Sequence, residues 1–165
     1  PENVTSADST VANNIGKVIF SCLSAKGKEI KLTDDGVNLN YSFGKPSSPD
    51  ILISQPYSEV IGYDPSDASN IIKEIRLMKG DMSYVVYSFG SGSRGGFKKY
   101  GKTVDVGAGV AVSKNGKKIT DVECVLSQNN VNELDRFDAR EKMSEWLTQT
   151  DSEKDVLSKG FWIPK

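Results

Sequence analysis

Apolar and polar residues alternate along most of the chain up to residue 128, and this period of two predicts β-strands rather than helices. In the clearest run, 37–43, every second side chain is apolar. Its members are Val37, Leu39, Tyr41 and Phe43. Two shorter runs precede it, and the spacers AKGK and DDG between the runs have the composition of hairpin turns. The pattern therefore predicts three consecutive antiparallel strands.

Further strands are predicted between residues 50 and 128. The run 50–56 ends at a proline, 70–81 alternates weakly, and 82–90 is more continuously apolar than the others. The segment 103–127 reads as a hairpin, because Asn115-Gly116 separates two alternating runs. Between these strands, residues 55–71 show no clean period, which predicts a long connection, and loops of that length are often functional.

From residue 130 the spacing of apolar residues becomes nearly helical. The positions are Val131, Leu134, Phe137, Met143, Trp146 and Leu147. Asn132 is a plausible N-cap, with Glu133 and Asp135 in the first turn, where the helix dipole favours acids. We predict an amphipathic helix to about Gln149 whose apolar face packs on the sheet.

Together these patterns predict a mainly β fold: an antiparallel barrel or sandwich of seven to eight strands with a C-terminal amphipathic helix. The expected organisation is a flexible lead-in at 1–16, an antiparallel β domain at 17–128 and a C-terminal helical segment at 129–165.

The chain of 165 residues carries a formal net charge of −1 and no histidine. A charge so close to zero argues against nucleic-acid binding, since phosphate contacts require a basic surface. No apolar run approaches the roughly 20 residues of a membrane helix, so no membrane insertion is expected. The first residue is Pro1 rather than Met, from which we expect a processed or trimmed chain.

The absence of histidine removes the commonest general base and metal ligand. Two cysteines cannot complete a zinc site by themselves, and neither a metal nor a cofactor is expected. The carboxylate clusters are Asp34-Asp35, Asp64 with Asp67, and Asp135 with Asp138. A structural role in a turn, in a loop or on a helix face is enough to explain each cluster, so we predict no catalytic residue and no enzyme. Two distant acids joined by folding, as in a glycosidase, remain the alternative.

Cys22 and Cys124 lie in strand-like contexts near the two ends of the β-rich region. We predict a disulfide between them, as is typical of an exported protein, and a location in the periplasm or outside the cell. The alternative is two buried thiols that pack as small hydrophobes.

The segment 84–102 passes from an apolar strand into a glycine-rich, basic stretch. Strand rather than helix follows it, so a phosphate-binding loop is not indicated. We predict a finger that binds the acidic cleft of a protein partner; the alternative is a solvated hairpin whose lysines oppose edge aggregation. The predicted partner-binding residues are Ser91, Ser93, Arg94, Phe97, Lys98, Lys99 and Tyr100, together with Tyr57 and Tyr63 from the long connection.

The stretch CLSAKGKEIKLTDDGVNLNYSFGKPSSPDILIS and the later V-x-K-N-G-K-K-I-x-x-V-x-C resemble a group of small exported bacterial β-rich proteins with one cysteine pair. The resemblance covers roughly residues 18–125 and implies export and a disulfide rather than an activity. More loosely, Ser91-Gly92-Ser93-Arg94 is similar to the loop with which periplasmic lysozyme inhibitors block an acidic hydrolase cleft. Immunity proteins against cell-wall-degrading toxins likewise have to block the cleft of a hydrolase.

These observations predict a non-catalytic, exported protein-binding domain: an inhibitor or immunity protein whose partner is an exported hydrolase or toxin. One alternative is a module that binds a cell-envelope glycan or small ligand, with Tyr57, Tyr63 and Tyr100 as stacking surfaces. Another is a structural protein of the envelope with no discrete site.

Overall fold

A computed structural model describes residues 16–64, 70–91, 97–99, 102–134, 141–143 and 145–148 of the chain. The strands are β1 (Lys17–Leu23), β2 (Glu29–Asp34), β3 (Asn38–Lys45), β4 (Ser48–Pro56), β5 (Ile61–Asp64), β6 (Asn70–Lys79), β7 (Met82–Ser91), β8 (Phe97–Lys99), β9 (Lys102–Val104), β10 (Val106–Lys114), β11 (Lys117–Glu123), β12 (Val131–Asn132) and β13 (Glu145–Thr148). A single turn of 3-10 helix, Tyr57–Glu59, joins β4 to β5.

The strands form two sheets and a small hairpin. The first sheet has the order β12-β1-β2-β3-β4, the second has the order β11-β10-β7-β6-β5-β13, and β8 pairs with β9. Neighbouring strands are antiparallel except for β13, which runs parallel to β5. The predicted turn chemistry is confirmed at Asn115 and Gly116, which both have positive φ between β10 and β11.

A shared apolar core lies between the two sheets. Strand alternation directs one face of each sheet inward, and these faces form one buried cluster. From the first sheet it contains Ile19, Phe20, Ile30, Leu32, Leu39 and Tyr41, and from the second Ile75, Leu77, Tyr84, Val86, Val110 and Val112. The rings of Tyr41 and Tyr84 meet across the layer with centroids 5.4 Å apart. The predicted mainly β fold is therefore confirmed, with the sheets packed as a sandwich.

Of the barrel and the sandwich that the sequence left open, the described strands form the sandwich, as two open sheets, and no closed barrel. The expected number of strands is wrong, because the described residues contain thirteen strands instead of seven to eight. The additional ones are short, of two to four residues.

The predicted C-terminal helix is also wrong for the residues described there. Val131–Asn132 pair with Phe20–Ser21, and Glu145–Thr148 pair with Ile61–Asp64. The edge strands β1 and β5 offer unpaired backbone groups, and the incoming strands pair with them, so tertiary pairing overrides the local helical spacing. Residues 135–140, 144 and 149 of the predicted helix, and residues 1–15 of the lead-in, lie outside the described residues.

Candidate functional site

An open cleft of about 420 Å³ lies where the two sheets separate at one end of the sandwich. The first sheet contributes β1 and β12, the second contributes the end of β7 and the start of β10, and the loop before β12 forms one wall. The lining residues are Phe20, Ser21, Cys22, Ile71, Ser88, Phe89, Gly90, Val106, Gly107, Ala108, Leu126, Ser127, Asn130, Val131 and Asn132. The cleft is therefore a continuation of the core layer that is open to solvent.

Two apolar residues at this end belong to the core-facing positions and yet are exposed. Ile71 has the same strand parity as the buried Ile75, and Val106 has the same parity as the buried Val110. Their side chains are 55% and 52% exposed. Leu126, from the adjoining loop, is 52% exposed. These three residues, which we call the apolar rim, all line the cleft and leave apolar surface exposed there, and exposed apolar surface of this kind marks interaction sites.

The loop that forms one wall is fixed by hydrogen bonds. The N–H of Val125 donates to the carbonyl of Leu23 on β1 at 2.8 Å, and the N–H of Glu133 donates to Ile19 at 2.7 Å. Within the loop, the side-chain amide of Asn130 donates to the carbonyl of Val125 at 3.0 Å. Both ends of the loop are thus attached to the first sheet, and the wall is preorganised.

The predicted disulfide between Cys22 and Cys124 is confirmed, and it borders the cleft. It joins β1 of the first sheet to the residue after β11 of the second, with 5.6 Å between the two Cα atoms. The N–H of Cys124 also donates to the carbonyl of Ala108 at 2.9 Å. The bridge therefore fixes the separation of the two sheets beside the cleft. A disulfide is typical of an oxidising compartment.

The described residues that line the cleft carry no ionisable side chain apart from the bonded Cys22. Their polar side chains are the hydroxyl groups of Ser21, Ser88 and Ser127 and the amide groups of Asn130 and Asn132. Such groups orient a ligand by hydrogen bonding, but none is an acid or base near neutral pH. The chemistry of this lining is suited to binding.

Residues 92–105, which we call the basic segment, connect two strand ends that line the cleft. Gly90 pairs with Ile71 on one side and with Val106 on the other, and all three residues line the cleft. The chain leaves the second sheet after Ser91 and returns to it at Val106, so the residues between are attached at the cleft mouth. Within this segment β8 and β9 form a hairpin in which Phe97 pairs with Val104.

The predicted finger residues are described only in part. Ser91 ends β7, opposite Asn70, and Phe97, Lys98 and Lys99 form β8. Ser93, Arg94 and Tyr100 lie outside the described residues. Lys102, at the start of β9, is exposed. The partner-binding role of this set stays a prediction.

Tyr57 and Tyr63 lie away from the cleft lining and are buried, with 8% and 4% of their surfaces exposed. The Tyr57 hydroxyl donates to Oδ1 of Asp34, and the ammonium of Lys142 lies 5.8 Å from the centre of its ring. Burial, together with this hydrogen bond, raises the pKa of Tyr57 above its usual range. As packed here, neither ring offers a face on which a sugar could stack.

The carboxylates of Asp34 and Asp35 have the turn role predicted for them. Asp34 accepts from the N–H of Gly36 at 3.0 Å, and Asp35 accepts from the N–H groups of Val37 at 2.8 Å and Asn38 at 2.7 Å. Partial burial would raise the pKa of Asp35, but the hydrogen bonds from Asn38, Asn40 and Val37 together lower it.

The other predicted carboxylate pairs are described incompletely. Asp64 forms a salt bridge of 2.6 Å with Lys73 across β5 and β6, and Asp67, Asp135 and Asp138 lie outside the described residues. Among the residues that the structure describes, no group of three or more His, Cys, Asp or Glu side chains could hold a metal ion. Nor does this part of the chain contain a helix long and apolar enough to cross a membrane.

The cleft itself was not predicted from the sequence. Its lining comes from five separate stretches of chain, and most of its residues are ordinary strand residues. One signal was available in Ile71 and Val106, which extend the core-facing alternation to the ends of β6 and β10. Whether the opposite sheet covers those ends depends on strand length and register, which the spacing of apolar residues does not specify.

Comparison of the chain with protein-family models, with curated proteins and with solved structures finds no match.

Proposed function

We propose that this protein is a non-catalytic binding domain of the periplasm or the extracellular space, and that it inhibits or neutralises a cell-wall-degrading hydrolase or toxin. The observation that carries the proposal is the position of the cleft. An apolar, uncharged cleft with an exposed rim lies at the base of a segment that holds Arg94, Lys98, Lys99 and Lys102.

This combination resembles the composition of protein interfaces. Such interfaces have an apolar centre that excludes water and a polar or charged periphery that selects the partner. The apolar rim would provide the centre, and the basic segment would favour a partner with an acidic cleft by speeding the encounter at low salt. The disulfide supports an oxidising location, where such hydrolases act.

The glycan-binding alternative is favoured less. Of its three expected stacking surfaces, Tyr57 and Tyr63 are buried, and Tyr100 lies outside the described residues. The described lining of the cleft offers no exposed aromatic face of that kind, since Phe20 and Phe89 are buried.

The test is a titration against a panel of purified cell-wall hydrolases, with lytic activity and calorimetric binding as readouts. We expect a one-to-one complex with at least one acidic-cleft hydrolase, with lysis inhibited and association slowed by added salt. The double variant Arg94→Glu, Lys98→Glu should weaken that complex at least tenfold, a factor of about ten being 1.4 kcal/mol.

Lys79→Glu is the matched control. Lys79 is exposed, and it lies at the far end of β6 from Ile71, eight residues or roughly 26 Å along the strand. Combined with Lys117→Glu, at an exposed position at the same end of the second sheet, Lys79→Glu makes the same change of net charge away from the cleft, so binding should be retained. If the test and control variants lose the same affinity, net charge alone explains the effect. If the Arg94→Glu, Lys98→Glu variant binds unchanged, the basic segment is not part of the interface.

A further inference from the structure

The cleft combines an apolar interior with polar groups in its wall, and this combination defines the side chain that it fits. Phe20, Val106, Ala108 and Leu126 supply apolar surface, while Ser127 and Asn130 supply hydroxyl and amide groups from the loop. We propose that the cleft is an anchor pocket for one aromatic side chain, tryptophan or tyrosine, carried on an acidic loop of the protein partner. This inference rests on the proposed function and specifies what the partner must present.

The neutrality of the lining excludes a charged anchor. No carboxylate, ammonium or guanidinium group is among the described lining residues. A charged side chain entering the cleft would lose part of its hydration without an opposite charge in return, which disfavours its binding. The acidic groups of the partner are therefore expected around the cleft, next to the basic segment.

Polar groups in the wall favour an aromatic side chain with a hydrogen-bonding group over an aliphatic one. The side-chain amide nitrogen of Asn130 donates to the carbonyl of Val125, and none of the described residues donates a hydrogen bond to its Oδ1. That oxygen can accept from an indole N–H or a phenol O–H. Tryptophan and tyrosine are enriched at interfaces because they combine an apolar ring with such a group.

The cleft is also preorganised for an anchor. The disulfide Cys22–Cys124 fixes the two sheets beside it, and the hydrogen bond from Val125 to Leu23 holds the loop wall against β1. A pocket already shaped in the free protein avoids the cost of ordering its walls on binding.

N-acetyl-tryptophanamide is a suitable probe, because it carries the side chain without charge. In ¹H–¹⁵N NMR titrations of the whole chain, we expect shifts confined to amides that line the cleft, including Ser21, Ile71, Gly90 and Ala108. Affinity should fall in the order N-acetyl-tryptophanamide, N-acetyl-leucinamide, N-acetyl-glutamate amide. Shifts scattered over the surface, or equal affinity for the leucine and tryptophan probes, would overturn the proposal.

Gly90→Val fills the cleft without disturbing the sheet. A Cβ atom added at Gly90 meets no heavy atom within 4 Å, so a valine there occupies open space. We expect at least about a tenfold loss of affinity for the tryptophan probe. Ser54→Val is the control, because Ser54 is an exposed strand residue on β4 at the opposite edge of the first sheet. An unchanged amide spectrum away from the cleft verifies that each variant is folded.

The two proposals fail in different ways. If no hydrolase in the panel binds but the probe titrates into the cleft and Gly90→Val blocks it, the anchor pocket stands and the partner class is wrong. If a hydrolase complex forms and Gly90→Val binds it as tightly as the unaltered chain does, the anchor pocket is wrong and the proposed function stands.

Discussion

The side-chain amide of Gln55 hydrogen-bonds to both backbone groups of Met78 on the facing sheet. Oε1 accepts from the N–H of Met78 at 3.0 Å, and the amide nitrogen donates to its carbonyl. β5 pairs with β6 only as far as Arg76, so Met78 lies two residues beyond the end of that pairing. A glutamine from β4 thus takes the place of a strand and links the two layers.

Replacing Gln55 by leucine should destabilise the fold by about 1–3 kcal/mol, because both backbone groups of Met78 lose a partner in a partly buried position. Urea denaturation followed by circular dichroism measures the change. Ser54→Leu, at the exposed neighbouring position, should cost much less. An equal loss in the two variants would show that the strand tolerates leucine poorly for a reason other than the hydrogen bonds.

The disulfide closes a separation of 102 residues, and in the chain-entropy model a loop of about 100 residues contributes about 4.7 kcal/mol. We therefore expect the double variant Cys22→Ala, Cys124→Ala to lose about 4 kcal/mol of unfolding free energy. Dithiothreitol should bring the unaltered protein to a similar stability and leave the variant unchanged. Insensitivity of the unaltered protein to reductant, with full reduction shown by mass spectrometry, would contradict this account.

The strands whose signal is local were predictable from the sequence. The β2–β3 turn has Asp34, Asp35 and Gly36 in roles that the residue types dictate, and the β10–β11 turn has Asn115 and Gly116. In both cases the turn chemistry and the period of two lie within a dozen residues. The cysteine pairing followed because only two cysteines are present.

What could not be predicted depends on contacts between distant segments. Trp146 and Leu147 have helical spacing with earlier residues, yet they pair with Gly62 and Tyr63 at a sheet edge. The cleft depends on where one sheet ends relative to the other, which also leaves Ile71 and Val106 exposed. Such relationships are set by tertiary pairing and override local pattern.

Two glycines of β10, Gly107 and Gly109, make room for the rings of Phe89 and Tyr87 on the outer face of the second sheet. The ring of Tyr87 extends over its cross-strand partner Gly109, and its hydroxyl donates to Asp121 on β11 at 2.6 Å. A Cβ at Gly109 would lie 2.3 Å from the carbonyl oxygen of Val122 and 2.8 Å from the Tyr87 hydroxyl. Gly109→Ala should therefore cost about 1–3 kcal/mol through overpacking.

Gly90→Ala is the matched control for this effect, because a Cβ there meets nothing within 4 Å. Its stability should stay within about 0.5 kcal/mol of the unaltered chain. Thermal unfolding of both variants gives the comparison, and near-ultraviolet circular dichroism reports on the environment of Tyr87. A Gly109→Ala variant as stable as Gly90→Ala would mean that the ring shifts at little cost.

Asp35 should make the stability of the fold depend on pH in the acid range. Hydrogen bonds from Asn38, Asn40 and Val37 outweigh partial burial and lower the pKa of its carboxyl in the folded state. A carboxyl whose pKa is lower in the folded chain than in the unfolded chain contributes its full stabilisation of the fold above the unfolded pKa, about 4. That contribution is lost as the pH falls through the folded pKa. Unfolding free energies between pH 7 and pH 2 should therefore decline below pH 4, and Asp35→Asn should decline less.

Asn40→Ala tests how much the side-chain hydrogen bond from Asn40 lowers the pKa of Asp35, because the carboxyl itself is kept. It removes the side-chain donor that lies 2.8 Å from Oδ2 while the two backbone donors to Oδ1 remain. The pKa of Asp35 should then rise towards its unfolded value, so the acid-dependent loss of stability becomes smaller than in the unaltered protein but larger than in Asp35→Asn. NMR titration of the Asp35 carboxyl gives the pKa directly in both proteins. An unchanged pKa in Asn40→Ala would assign the whole depression to the backbone donors of Val37 and Asn38.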